Sequence, residues 1–249
     1  MTFFIGGMFV FLLLLHMFIE AKRNRIDYLA LKYETLPEEF HGYRLFFISD
    51  VHKRIISKKI YQELINQVDI IIIGGDLCEK NVPLERIEEN VKQLSAIAPC
   101  YFVWGNNDHE VGKENVKNIL MKYHVKDLEN KECVIKKQQD QITLLGLDDT
   151  GFEKLPELIL PLSQSFSVLI CHYPDVTELL PSNHPFSLIL TGHTHGGQIR
   201  FFGFGIARRG GLFNEGNYNL LISNGYGTTA LPFRLGAPAQ THIITLLKK

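Results

Sequence analysis

Cysteine is scarce in this chain: Cys78, Cys100, Cys133 and Cys171 are widely spaced, with no CxxC pair. That excludes the dense disulfide framework of small secreted domains, so the thiols are read as reduced and mostly buried. An excess of charge of one sign is missing too. With 26 basic and 27 acidic residues the formal net charge is -1, so no basic field speaks for nucleic acid, and none is expected as a partner. Low-complexity tracts and fixed-period repeats are absent. A content of 45% hydrophobic against 21% charged residues excludes a disordered chain, and 249 residues suffice for one domain with a substantial core.

What is present begins with one long apolar run. Residues 3–19 are interrupted only by glycines and His16, and a basic cluster, Lys22, Arg23 and Arg25, follows. About 17 residues is the lower end of what crosses a bilayer as a helix. No basic segment precedes the run and no small-residue cleavage pattern follows it, so residues 1–20 are expected to be an uncleaved, single-pass transmembrane anchor. The basic side places the bulk of the protein in the cytoplasm. A helix packed on the domain itself is the alternative. Residues 21–40 read as a connector and residues 41–249 as one domain.

Within that domain, apolar runs end in polar turns again and again. Residues 44–49 lead into Asp50, residues 68–73 into Gly74-Gly75-Asp76, and residues 100–104 into Gly105-Asn106-Asn107-Asp108. Such runs suit buried strands that deliver polar side chains at their C-terminal ends. Residues 58–67 and 83–97 carry helical spacing between them, so strand and helix alternate as in a layered α/β sheet. The second half is richer in strand candidates: 142–147, 167–171, 187–190, 219–223 and 241–247. Two of these end at His172 and at Gly192-His193-Thr194-His195.

Each polar strand end alone reads as a turn former. Together, Asp50, His52, Asp76, Asn106, His172, His193 and His195 would meet in the crevice where the carboxyl ends of α/β strands converge. Carboxylates, imidazoles and an amide oxygen suit first-row divalent metals, oxygen favouring manganese or iron and imidazole accommodating zinc or iron. Seven candidates exceed the needs of one ion and suit a pair about 3.5–4 Å apart bridged by a carboxylate.

These blocks, Asp50-Val51-His52, Gly75-Asp76, Gly105-Asn106-Asn107-Asp108, His172 and Gly192-His193-Thr194-His195, resemble the calcineurin-like metallophosphoesterase superfamily in identity and order. The continuation Gly196-Gly197-Gln198, with Gly225-Tyr226-Gly227 and Pro232-Phe233-Arg234 further on, is similar to a bacterial, often membrane-anchored subgroup that includes enzymes cleaving UDP-2,3-diacylglucosamine. The resemblance implies a four-layer α/β/β/α sandwich of two mixed sheets, with a dinuclear centre at the strand C-terminal ends. It implies that Asp50, His52 and His195 hold one metal, that Asn106, His172 and His193 hold the other, and that Asp76 bridges. It further implies in-line attack of a metal-bridging hydroxide on a phosphodiester or pyrophosphate, here of a lipid-linked substrate because of the anchor. Manganese is the first expectation, with iron or zinc open. Two other readings stand: a hydrolase of soluble nucleotides, and a metal-bound scaffold with little turnover. No obligate protein partner is evident.

One position departs from the family pattern. The third block usually reads Gly-Asn-His followed by an acid, and Asn107 stands at the His. An amide cannot act as a general acid near neutral pH. Either His109 takes over, or the leaving group departs unaided, or activity is low. Asn107, His109 and Asp108 are accordingly the candidate catalytic residues, Asp108 as a support behind the ligands. Arg234 is the candidate substrate residue, clamping a phosphate, with a structural role as the alternative. Lys53, Arg54, Lys58 and Lys59 could attract phosphate or anionic lipid, or form a solvated face. Asp148 and Asp149 could support the site or only turn the chain. Phe201, Phe202, Phe204 and Phe213 could line an acyl groove, touch a bilayer or pack in the core. His16, His41, His124, His184 and His242 receive no chemistry.

Overall fold

The computed structural model describes residues 2–148, 151, 155–159 and 166–249; Asp149 lies outside them. In chain order the strands are β1 (Arg25–Tyr33), β2 (Tyr43–Ile48), β3 (Ile70–Gly74), β4 (Cys100–Val103), β5 (Lys126–Asp127), β6 (Lys131–Lys137), β7 (Asp140–Leu147), β8 (Ser167–Cys171), β9 (Phe186–Thr191), β10 (Gly211–Asn214), β11 (Asn219–Ile222) and β12 (Gln240–Lys248). They form two mixed sheets, ordered β1-β12-β2-β3-β4-β5 and β10-β11-β9-β8-β7-β6. The helices are α1 (Thr2–Ala21), α2 (Lys58–Leu64), α3 (Leu84–Ser95), α4 (Lys113–Lys122), α5 (Leu155–Ile159) and α6 (Val176–Leu179).

The period of two in a strand sorts the buried residues into layers. Along β3, Ile71 and Ile73 pack outward with Ile60, Leu64, Ile87, Val91 and Leu120 of α2 to α4. Ile70 and Ile72 face inward, with Leu45 and Phe47, onto Leu144, Val168, Ile170, Leu188 and Leu190 of the second sheet. The other face of that sheet, through Leu145, Leu169 and Ile189, is covered by Leu155 and Val176. Three apolar cores between four layers give the α/β/β/α sandwich. Strands buried on both faces are apolar throughout, which is why residues 70–73 read Ile-Ile-Ile-Ile.

Several segments differ from the sequence reading. Residues 21–40, read as a connector, contain β1, which pairs in parallel with β12 from Arg25↔Gln240 to Tyr33↔Lys248 and forms the edge of the first sheet. Its pattern is blurred because one face is half-exposed, with charged Arg25, Asp27 and Lys32 among the apolar residues. The short helix α4 and strands β6 and β10 also escaped pattern reading.

Helix α1 is apolar and long enough to cross a membrane over Phe4–Ala21, with mean hydropathy 2.1 and only 17% of that stretch buried. Low burial sets it apart from a core helix. Its last turns dock on the domain: Met17 and Ala21 are buried, Arg234 N donates to Met17 O (3.0 Å) and Gly236 N donates to Glu20 Oε2 (3.1 Å). The Arg54 guanidinium lies 3.6 Å from the Tyr226 ring centre and donates to the carbonyls of Ala21, Lys22 and Arg23. Those carbonyls have no partner inside the helix, so Arg54 closes its C-terminus. Arg54 is therefore a bracket between the first ligand block and α1 and does not await phosphate.

Candidate metal centre

Every ligand candidate sits just past the C-terminal end of a strand. Asp50 and His52 follow β2, Asp76 follows β3, Asn106 follows β4, His172 follows β8, and His193 and His195 follow β9. The chain must turn sharply there, and five of the seven do so with left-handed backbone: φ is 53° at Asp50, 52° at His52, 51° at Asp76, 66° at His193 and 50° at His195. Such conformations cost about 1–3 kcal/mol each and concentrate at functional sites. Two glycines make room. A Cβ on Gly75 (φ +88°) would stand 2.5 Å from His172 Nδ1, and one on Gly225 (φ +77°) 2.6 Å from Asp50 Cβ.

The side chains gather in two triplets, Asp50 with His52 and His195, and Asp76 with His172 and His193, each with its ligand atoms within 4.8 Å of one another. His52 Nε2 and His195 Nε2 face each other at 3.0 Å, and Asp50 Oδ1 is 3.4 Å from the latter. His172 Nε2 lies 3.2 Å from Asp76 Oδ2 and 3.9 Å from Asp50 Oδ1. Asp76 Oδ2 is also 3.8 Å from His52 Nε2, so this carboxylate stands between the triplets. Asn106 keeps a buried Oδ1 without a hydrogen-bond partner among the described residues. His193 is the exposed member.

Supporting contacts fix these groups. His172 Nδ1 lies 3.0 Å from Gly74 O, which leaves Nε2 to the crevice. His52 Nδ1 is 2.9 Å from Glu79 Oε2, close enough for an ion pair, and Lys53 Nζ holds the other Glu79 oxygen at 2.6 Å. Orienting a ligand imidazole through its second nitrogen is the usual arrangement around a metal. Glu79 escaped sequence reasoning; its place three residues after Asp76 was the available signal. Asp108 is fully buried and accepts from the backbone N–H groups of Asp76 (2.8 Å), Cys78 (3.0 Å) and Gly105 (2.9 Å). Burial, then the Asp76 charge, pushes its carboxyl up to about 7 despite those donors.

Asn107 uses its backbone N–H on Asp76 Oδ1 (2.8 Å) and its amide on Asp76 Oδ2 (2.6 Å). Its side chain is thereby turned to the central carboxylate. His109 stacks on Trp104, rings 5.0 Å apart at 18°. Arg234 has the contacts of its alternative, structural role. It is 0% exposed, and its guanidinium donates to the carbonyls of His195, Asn224, Gly227 and Ala237, with Nη2 3.1 Å from His195 Nδ1. With its donors committed to the wall behind the centre, it has no free edge for a substrate phosphate. Asp148 exchanges hydrogen bonds with Asn130. Among the four phenylalanines, Phe213 packs on the second outer core, whereas Phe201, Phe202 and Phe204 are exposed.

The buried carboxylates and imidazoles shift one another. Burial alone would lower the His172 pKa, yet the Asp76 and Asp50 carboxylates hold it up to about 10. Burial raises the Asp76 pKa, but His172 and His52 outweigh it and leave the group well below the carboxylate range. His195 is pulled down to about 4 by burial, against Asp50, with the Arg234 charge adding to the fall. The imidazoles of His52, His172, His193 and His195, the carboxylates of Asp50 and Asp76 and the Asn106 amide oxygen form a donor set that fits two divalent ions, and His172 would give up its proton on binding one. A cavity of about 310 Å3 opens beside His193, lined also by Asp175, Glu178, Thr194, Ala207 and Arg208. A second, of about 400 Å3, lies between β1 and β10, where Arg25, Asp27, Arg209 and His242 line it.

The calcineurin-like phosphoesterase family model matches residues 43–197. The chain is 42% identical over 207 residues to the uncharacterized protein YpbG of Bacillus subtilis, covering 81% of this chain and 80% of that one. It is 31% identical over 176 residues to the phosphodiesterase YaeI of Escherichia coli, covering 64% of this chain and 62% of the relative. In fold it is similar to a putative 5'-nucleotidase from Staphylococcus aureus, with TM-score 0.56 at 11% identity over 83% of this chain and 54% of the other. The matched region spans the whole ligand set, and the chain belongs to the calcineurin-like phosphoesterase family as a metal-dependent phosphohydrolase.

Proposed function

We propose that this chain cleaves a phosphodiester or pyrophosphate bond of a lipid-linked substrate at a membrane surface, with residues 41–249 in the cytoplasm behind an anchor over residues 1–20. The observation that carries the reading is the convergence of two ligand triplets close to the docked end of an apolar helix. Asp50, His52 and His195 hold one ion in this proposal, Asn106, His172 and His193 hold the other, and Asp76 serves both. Two such ions, manganese first and iron or zinc as alternatives, supply an activated water near neutral pH and neutralise charge on the phosphoryl oxygens when bound. The likeness of residues 196–198 and 225–234 to a bacterial, often membrane-anchored subgroup that includes enzymes cleaving UDP-2,3-diacylglucosamine fits a substrate at the membrane. The name of the YaeI relative supports diester cleavage.

The protein's own residues hold the geometry. Asp108 ties the backbone of Asp76, Cys78 and Gly105 into one rigid turn, and Arg234 fixes the His195 carbonyl. Asn107 holds Asp76 by two hydrogen bonds and has no proton to give a leaving oxygen. His109, two residues on, is the candidate to take over, and its ring lies stacked on Trp104. We therefore expect a preference for good leaving groups, read as faster cleavage of nitrophenyl than of alkyl diesters; equal rates would count against it. Asn107 also favours one other reading, a metal-bound scaffold with little turnover.

The test is hydrolysis of bis-nitrophenyl phosphate by the metal-stripped protein with manganese, zinc, iron or nothing restored, alongside Asp76→Ala. Metal-restored turnover that Asp76→Ala abolishes supports the esterase. Tight metal binding without turnover moves the scaffold reading to the front. Rates raised by presenting acylated substrate in vesicles separate a lipid substrate from a soluble nucleotide.

A further inference from the structure

Three residues past the last ligand, His195, the chain leaves the domain as a small hairpin. Phe201 and Phe204 exchange backbone hydrogen bonds at its neck (2.9 Å each). The Arg200 guanidinium donates to Gly203 O (2.7 Å), Gly196 O (2.8 Å) and Ala207 O (2.8 Å), stitching tip, base and far strand together. This stapled loop presents almost nothing but apolar surface. Phe202 is 100% exposed, Ile206 98%, Phe204 82% and Phe201 58%, with Leu231 at 60% on the neighbouring loop. Soluble surfaces scatter large apolar residues singly; several on one short loop mark a surface made to be covered.

What covers it follows from α1. The hairpin base bridges Ile199 to Leu235 and Gly236, and Arg200 N donates to Leu235 O. The same loop holds α1: Arg234 N to Met17 O, Gly236 N to Glu20 Oε2, and Ala239 N to Glu20 O. Met17 is buried against the domain, and it lies four residues before the end of the apolar stretch Phe4–Ala21, about 6 Å along the axis at 1.5 Å per residue. An 18-residue span is about 27 Å long, shorter than the roughly 30 Å hydrocarbon core, so none of it stands clear of the bilayer. The part of the domain that touches Met17 therefore enters the membrane boundary with it. Basic Lys22, Arg23 and Arg25 follow α1, and Arg208 and Arg209 follow the hairpin, the charge that anionic headgroups attract.

We infer that the Phe201–Ile206 hairpin, with Leu231, is a second membrane-contact element that inserts into the lipid headgroup and acyl boundary beside α1 and turns the metal crevice toward the bilayer. The inference rests on reading α1 as a membrane anchor. Through Arg200, Gly196 and His195 the inserted tip and the centre form one body, so the crevice sits at headgroup depth at a fixed tilt.

The chain has one tryptophan, Trp104, which is fully buried and gives a constant background. Full-length protein carrying Phe202→Trp is reconstituted in vesicles with bromine-labelled acyl chains, next to Met121→Trp, a 65% exposed site at the end of α4. Flotation with the vesicles reads the anchor, and quenching reads the hairpin. The expected result is flotation, a blue-shifted emission and quenching on the order of twofold for Phe202→Trp alone, as for a group seated about 5–10 Å into the boundary. Flotation with unquenched, red-shifted emission overturns the hairpin inference and leaves the anchor standing. Flotation with blue-shifted but unquenched emission and a dimeric chain also overturns it, with a second copy as the cover. Protein that does not float removes the anchor and the inference together.

Discussion

The two sheets contribute different chemistry to one centre. Strand ends of the first sheet bring both carboxylates, the amide and one imidazole, through Asp50, Asp76, Asn106 and His52; those of the second bring imidazoles only, through His172, His193 and His195. Neither triplet belongs to one sheet. The first takes two residues from the first sheet and His195 from the second, and the other takes Asp76 from the first with His172 and His193 from the second. The centre is thus a property of the closed sandwich. Its inner apolar core, where Phe47 and Ile72 meet Ile170 and Leu190, sets the spacing of the ligands.

Breaking the shared point costs most. Asp76→Asn keeps the shape and removes the charge common to both triplets, and turnover of bis-nitrophenyl phosphate is expected to fall about 1,000-fold with loss of metal at equilibrium dialysis. Removing one imidazole per triplet sharpens the comparison. His195→Ala and His172→Ala should each bind about half the metal of the parent chain and lose on the order of 100-fold in rate, while the double variant falls no further than the worse single one. Loss of all metal in either single variant would show that the triplets do not fill independently. A smaller effect is expected behind the ligands: Arg234→Lys keeps the charge but not the fork that reaches several carbonyls, and metal affinity should drop about 10-fold by competitive chelation.

The smallest effect separates the crevice from its surroundings. His242 is buried between the sheets, and burial, then the Arg25 charge, lowers its pKa to about 3. The unfolded chain takes up a proton that the folded chain refuses. The stability it contributes is therefore complete above the ordinary value near 6.5 and is lost as pH falls toward 3. His242→Gln should flatten the fall in the urea midpoint between about pH 6.5 and 4 in the presence of chelator, leaving the midpoint at pH 7.5 within a few tenths molar of the parent. An unchanged slope would assign the acid sensitivity to the ligand histidines.

The ligand blocks were legible because each follows a doubly buried strand, where an apolar run must stop at a polar turn. Residues 70–73 before Gly74-Gly75-Asp76 show this best. The supports were harder to read. Arg234 looked available because arginine is almost never fully buried, and only backbone carbonyls distant in sequence could satisfy it there. Arg54 looked like a solvated charge because its partners, Ala21 to Arg23, end a helix that sequence places outside the domain. Strand β1 was hidden because an edge strand needs only one buried face. Asn107 stood out only as a departure from the pattern of the family that the blocks resemble, and its attachment to Asp76 depends on two strand ends meeting.

The pairing of β1 with β12 reaches beyond the finished fold, into synthesis. Strand β1 has a single neighbour in its sheet, and roughly 200 residues separate the two partners in sequence. At about 5–20 residues per second a ribosome needs on the order of 10–40 s to bridge that interval. Throughout it β1 presents an open edge, the kind of template that recruits neighbouring chains. With α1 as the anchor proposed above, the nascent protein would be tethered before it can close. A stop codon at position 240 would leave intact every ligand codon and yet produce a strand with nothing to join.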